Sequence, residues 1–128
     1  MSSGSVVIAV FVTRKPTLSP EEFEDYWENK HVPLVKSLSG PRFPLSHTRY
    51  YISRSTSAPG YPLNLVTGQP LDFDFDAFAV VIFASEAAFK ECLATLLSPE
   101  VIEDEDRFTV REKLRAVILG GANTTTRH

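Results

Sequence analysis

The chain has 128 residues, 43% hydrophobic, 11% aromatic and 23% charged, which is the profile of one soluble globular domain and excludes a fibrous segment or a second full domain. The formal net charge is −3, and Lys and Arg are scattered rather than gathered into a stripe, which argues against nucleic acid as a partner. The apolar run Val6 to Val12 falls well short of the roughly twenty residues of a membrane span and lacks the basic lead-in of a signal peptide, so no membrane partner is expected and the expected compartment is the cytosol (cytoplasmic). The single cysteine, Cys92, rules out an intrachain disulfide and a Cys-based zinc cluster, and within its apolar helical pattern it reads as a small buried hydrophobe.

In chain order, Val6 to Thr13 is rich in Val and Ile, runs on without alternation and is bounded by Lys15-Pro16, so it predicts a strand buried on both faces. Ser19-Pro20-Glu21-Glu22 supplies an N-cap Ser, a Pro at the first helical position and a Glu three residues after the cap, so a helix is expected to start at Pro20. Its apolar stripe is Phe23, Tyr26 and Trp27, and it carries His31 on the same face. Pro33 is expected to interrupt this helix, push Val32 out of the α region and open a second short turn reaching Leu38, which Gly40-Pro41 ends.

Leu45 to Arg54 alternates and reads as a second strand, with Leu45, His47, Arg49 and Tyr51 on one face and Ser46, Thr48, Tyr50 and Ile52 on the other. Ser55 to about Phe75 is rich in Pro and Gly, and about twenty residues without regular structure in a compact domain usually form a lid or binding loop. Ala77 to Ala84 is a nearly continuous apolar strand. Ser85 caps a helix with the stripe Phe89, Cys92, Leu93, Leu96 and Leu97, Ser98-Pro99-Glu100 starts another, and Leu114 to Leu119 is the last strand. The expected unit is one domain over residues 1–122 with a frayed polar tail at 123–128.

The order β-α-β-β-α-β is the split βαβ, ferredoxin-like arrangement, an α+β fold with the helices on one face of a four-stranded antiparallel sheet. The other sheet face then needs a cover. A second copy packed sheet to sheet would supply it, so a homodimer enclosing a cavity in each subunit is expected.

Lys15-Pro16-Thr17-Leu18-Ser19-Pro20-Glu21-Glu22-Phe23, then Tyr26-Trp27, then His31-Val32-Pro33-Leu34, resembles the opening of EthD-domain proteins of the dimeric α/β-barrel superfamily. Phe43-Pro44-Leu45-Ser46-His47-Thr48-Arg49-Tyr50-Tyr51, Asp76-Ala77-Phe78-Ala79 and Glu103-Asp104-Glu105-Asp106-Arg107-Phe108 look like the fungal branch found with polyketide synthases in secondary metabolism. The resemblance spans about Val6 to Leu119. It implies a small cofactor-free lyase that decarboxylates an anthracenone-type polyketide acid such as atrochrysone carboxylic acid, or a dehydratase or cyclase on similar substrates; cofactor-free anthrone oxygenases share the scaffold. It also implies a site role for His31 of the His-x-Pro motif.

Read from the residues themselves, His47, Arg49 and Tyr51 put an acid/base group, a fixed cation and a phenol on one strand face. Loss of CO2 from a β-keto or o-hydroxyaryl acid needs a donor at the carbonyl that takes up charge and a proton for the carbon left behind. His47 could give that proton, Arg49 could hold the carboxylate and Tyr51 could donate to a ring carbonyl; an exposed sheet edge or a dimer interface would account for the three equally simply. Trp27, Tyr26, Phe43 and Tyr50 could stack on a flat substrate, although aromatics at helical or strand spacing are more often plain core and Trp27 fits a core position better. The acidic run Glu103 to Asp106 reads as a solvated helix face, in which Asp104 or Asp106 could pair with Arg49 or orient a histidine. No HExxH or related spacing, phosphate-cradling glycine loop or GxSxG elbow is present, so neither a metal nor any other cofactor is expected. A binding protein that only holds a reactive polyketide is the non-enzymatic alternative.

Overall fold

A computed structural model describes residues 4–127. Four strands, β1 (Val6–Val12), β2 (Ser46–Tyr51), β3 (Ala77–Phe83) and β4 (Arg115–Ile118), form an antiparallel sheet in the order β2-β3-β1-β4. Helices α1 (Pro20–Tyr26), α2 (Val32–Ser39), α3 (Glu86–Leu96) and α4 (Pro99–Phe108) lie on one face, so the architecture is the expected ferredoxin-like α+β fold.

The local signals act as read. Ser19 accepts from the Glu22 backbone N–H while the Glu22 carboxylate accepts from the Ser19 N–H, a reciprocal box that satisfies two donors at the start of α1. Ser85 caps α3 through the Ala88 N–H. Gly40 ends α2 at φ 55°, a conformation that costs an L side chain and not a glycine.

Around Pro33 the expectation holds in part: a second helical stretch, α2, opens with Pro33 in its first turn and ends at Gly40, but the chain does not break before it. Val32 keeps α geometry at φ −60° and ψ −46°, and the helix is continuous. A single π-helical turn, Trp27–His31, joins α1 to α2, with the Val32 N–H bonded to the Trp27 carbonyl. The wider turn re-spaces the carbonyls ahead of Pro33, whose ring lacks an N–H, so the chain absorbs the proline without breaking. Trp27 and His31 thereby stand one above the other, both buried against the sheet.

Alternation divides the sheet. Ile8, Val12, Ala77, Ala79, Val81 and Phe83 point to the helices and join Phe23, Trp27, Cys92 and Phe108 in the core, where Cys92 is fully buried as expected. Each of the large aromatics buried there contributes roughly 1.5–3 kcal/mol. The opposite face is only half covered. Phe11 packs edge-on against Phe75 and tilted against Phe78, Phe78 stacks on Tyr50 at 5.0 Å, and Tyr50 and Val117 are each about half exposed. Within this chain β1, expected to be buried on both faces, is buried at Ile8 and Val12 on the helix side and at Ala9 on the other, and is half-buried at its remaining positions.

The segment 55–75 holds an antiparallel bridge, Arg54 to Leu63, and a 3-10 turn at Pro70–Phe73. It is tied at the far end of the sheet, where Arg54 donates to the Tyr61 carbonyl and Arg14 lies over the Tyr61 ring. The segment expected to form a lid or binding loop does not line the cavity between helices and sheet, and Thr56 lines a second pocket. Residues 119–127 are exposed and lack regular structure, and His128 lies outside the described residues.

Candidate active site

A cavity of about 290 Å³ opens between the helices and the sheet. Its walls are mainly apolar: Ile8, Val10 and Val81 from the sheet, Val35 from α2, Leu93 and Leu96 from α3. Exposed Leu97 and Leu114 stand at its rim. Into this apolar space project four polar side chains of consequence, His31, His47, Glu105 and Arg111. None of residues 55–75 lines it.

His31 comes from the end of the π turn, and its Nδ1 lies 2.8 Å from Asp104 Oδ2 on α4. Burial alone would raise the Asp104 carboxyl, but hydrogen bonds from Tyr26, His31 and Arg107 outweigh it and hold the group below its ordinary value. Asp104 is therefore a carboxylate and can only accept, so His31 Nδ1 carries the proton. The lone pair is left on Nε2. Burial, partly offset by Asp104, lowers the His31 pKa, so the ring is neutral near pH 7 and basic at Nε2.

His47 has the opposite arrangement. Its Nδ1 lies 2.8 Å from an Nη of Arg49, which can only donate. The Nδ1 lone pair is thus engaged and the proton of the neutral ring sits on Nε2. Burial first, and then the Arg49 cation, push the His47 pKa down to about 4. The cavity accordingly holds one imidazole poised to accept a proton and one poised to donate a hydrogen bond, with Trp27 edge-on to His47 and Phe43 tilted beside it.

Arg49 and Tyr51 share the His47 face, as alternation requires, but they do not reach the cavity. Glu28, in the π turn, accepts from Arg49 Nε at 2.6 Å and from a second Arg49 nitrogen at 3.0 Å, and it also accepts from the Tyr51 hydroxyl. The Arg49 hydrogen bond holds the Glu28 carboxyl below its usual range. Arg49 is held by Glu28 and His47 and does not line the cavity, whereas the sequence suggested a free carboxylate clamp. Tyr51, its pKa raised by burial and by Glu28, lines a separate, more polar pocket with Arg54 and Asp76.

The remaining sequence candidates divide. Phe43 and Trp27 line the cavity, Trp27 also being 4% exposed core. Tyr50 lies on the opposite face of the sheet, because the strand period of two turns it away. Asp106 is exposed and offers only its backbone carbonyl, to Lys15. Asp104 orients a histidine, one of the two roles considered for it. Glu105, Arg111 and Glu28 were missed. Glu105 was legible, because Val101, Asp104, Glu105 and Phe108 stand at i, i+3, i+4 and i+7 on the buried face of α4. Arg111, beyond the end of α4, carries no such signal.

Among the described residues no group of three His, Cys, Asp or Glu side chains is arranged to hold a metal ion. No helix there is long and apolar enough to cross a membrane.

The fold and cavity define a ferredoxin-like domain with two histidines in a largely apolar cavity. Residues 15–112 match the EthD domain family, and the chain belongs to it. Among solved structures, an EthD-like protein from Ralstonia eutropha is 18% identical with a TM-score of 0.56, covering 92% of this chain and 90% of that one. An EthD family protein from Bacillus halodurans is 14% identical with a TM-score of 0.54, covering 91% and 99%. SnoaB, a cofactor-independent oxygenase from Streptomyces nogalater, is 13% identical with a TM-score of 0.52, covering 98% and 100%. At these identities the likeness establishes the fold. A search of curated proteins found no match.

Proposed function

We propose that the protein is a cofactor-free enzyme that decarboxylates a flat aromatic polyketide acid of the anthracenone type. The observation that carries this reading is the pair of opposite tautomers in one apolar cavity, His31 with its lone pair on Nε2 and His47 with its proton there. When the bond to the carboxylate breaks, CO2 leaves and the electron pair passes to the neighbouring carbonyl oxygen. His47 Nε2–H stabilises that oxygen without giving up its proton, which a ring titrating at about 4 is suited to do. His31 Nε2 takes a phenolic proton from the substrate and returns it to the carbon that lost CO2, and the phenolate is reprotonated by water. Apolar walls favour a transition state in which the carboxylate charge is dispersed.

A second reading is favoured by the likeness to SnoaB. The same His31 base could form a carbanion from an anthrone, which then reacts with O2. The test is to incubate metal-free protein anaerobically with an anthracenone carboxylic acid and follow it by mass spectrometry against a protein-free control. Loss of CO2 faster than the control supports the decarboxylase. Loss of water points to a dehydratase or cyclase, product formed only after air is admitted points to the oxygenase, and binding without turnover points to a carrier.

We further infer that the working unit is a homodimer. The half-covered sheet face, with Phe11, Phe78 and Tyr50, is a contiguous apolar surface that a second copy would bury.

A further inference from the structure

The two histidines leave one charged pair in the cavity unaccounted for. Arg111 stands in a 3-10 turn, Arg111–Lys113, between α4 and β4, and its side chain lines the cavity wall. Its Nε is buried with no hydrogen-bond acceptor among the described residues. The carboxylate it faces, Glu105 Oε2, is 3.9 Å away, beyond hydrogen-bond reach. A buried guanidinium donor left unmatched is costly, and a ligand oxygen that the partly exposed side chain turns to meet would relieve that cost.

We propose that Arg111 and Glu105 form an anion subsite, in which the Arg111 fork receives the carboxylate of an aromatic acid while Glu105 is neutralised by taking up a proton. This rests on the reading of the cavity as a site for such an acid and names the group that holds its carboxylate, a role the sequence suggested for Arg49. Arginine is suited to it because its planar donors match a carboxylate. Glu105 is what makes the subsite conditional. Two carboxylates beside one cation cannot both remain ionised at low cost. Burial already raises the Glu105 pKa to about 7 against the pull of Arg111, and Asp106 and Asp104 on its own helix push it the same way. His31 from the first helix and His47 from β2 share the cavity, and both are neutral near pH 7. Binding of an acid is thus coupled to proton uptake at Glu105.

The test measures binding of anthracene carboxylate and of its uncharged carboxamide by fluorescence titration. Wild-type protein should prefer the carboxylate by roughly tenfold or more at about pH 6, and the preference should shrink by about pH 8.5. Arg111→Gln should abolish the preference and keep carboxamide binding. Arg111→Lys, which keeps the charge without the fork, should retain part of it and serves as the measurement where the Gln variant does not fold. Glu105→Gln should hold the preference constant across the pH range. Equal binding of both probes by the wild type, binding of neither, or a preference that survives Arg111→Gln overturns the subsite. Because these are binding readouts, failure of the decarboxylation assay removes the proposed reaction and leaves the subsite standing. Wild-type turnover by Arg111→Gln does the reverse.

Discussion

His31 Nδ1 and Asp104 Oδ2 lie 2.8 Å apart although 73 residues separate them in the chain. Asp104 is 5% exposed and also accepts from Tyr26 and Arg107, so its orientation is held from three sides. The pair sets which nitrogen of His31 is basic. Asp104→Asn removes the charge that favours Nδ1–H and should lower kcat by roughly 10²–10⁴-fold with a smaller change in KM. A folded variant with an unaltered pH profile of kcat/KM would show that Asp104 serves only the packing of α4.

The opposite tautomers are open to direct measurement. In 15N-detected NMR of the imidazoles at neutral pH, His31 should be protonated on Nδ1 and His47 on Nε2. Arg49→Met, which removes the donor to His47 Nδ1 and a nearby cation, should raise the His47 pKa from about 4 and let both tautomers appear. An unchanged spectrum in that variant would mean that burial, and not Arg49, sets the protonation of His47.

Glu105 and His47 make opposite contributions to stability against pH. The Glu105 pKa is raised in the folded state to about 7, so folded protein binds the extra proton between the ordinary glutamate value and 7. Its contribution is full at low pH and is lost as pH rises through about 7. Glu105→Gln should therefore stabilise the protein at about pH 8.5 by on the order of 2 kcal/mol and change little near pH 4. His47 is depressed to about 4, so the unfolded chain binds its proton first on acidification and stability is lost as pH falls from about 6.5 towards 4. His47→Asn should flatten that acid limb. Urea denaturation at three pH values measures both effects.

The apolar sheet face sets an oligomer test. Val80 pairs with Ala9 and Thr48 on the face turned away from the helices. Val80→Lys puts a charge at the centre of the surface inferred to bury a second copy, and should convert a dimer to a monomer in sedimentation equilibrium. A wild type that sediments as a monomer at all concentrations would remove the dimer.

Much of the fold was legible because its signals are local. The capping box at Ser19 and Glu22, the Ser85 cap, the Gly40 stop and the alternation of β2 each act within a few residues, and they place the elements without knowledge of the rest of the chain. At residues 55–75 Pro and Gly mark a loop but not which end of the sheet it covers. Pro33 misled in part: the proline rule forbids an α hydrogen bond, and the chain met it with one π turn.

For the site, the sequence put His31 on a core-facing stripe and His47, Arg49 and Tyr51 on one strand face, because helical and strand periods are fixed by covalent geometry. What each of those side chains does was decided only in three dimensions. Glu28 captures Arg49 and Tyr51 across the gap between helix and strand, Asp104 arrives from α4 to fix one histidine, and Arg49 fixes the other. Periodicity gives the direction of a side chain. Its partner, and with it the position of each proton, depends on which distant segment packs opposite, and that is a property of the assembled core.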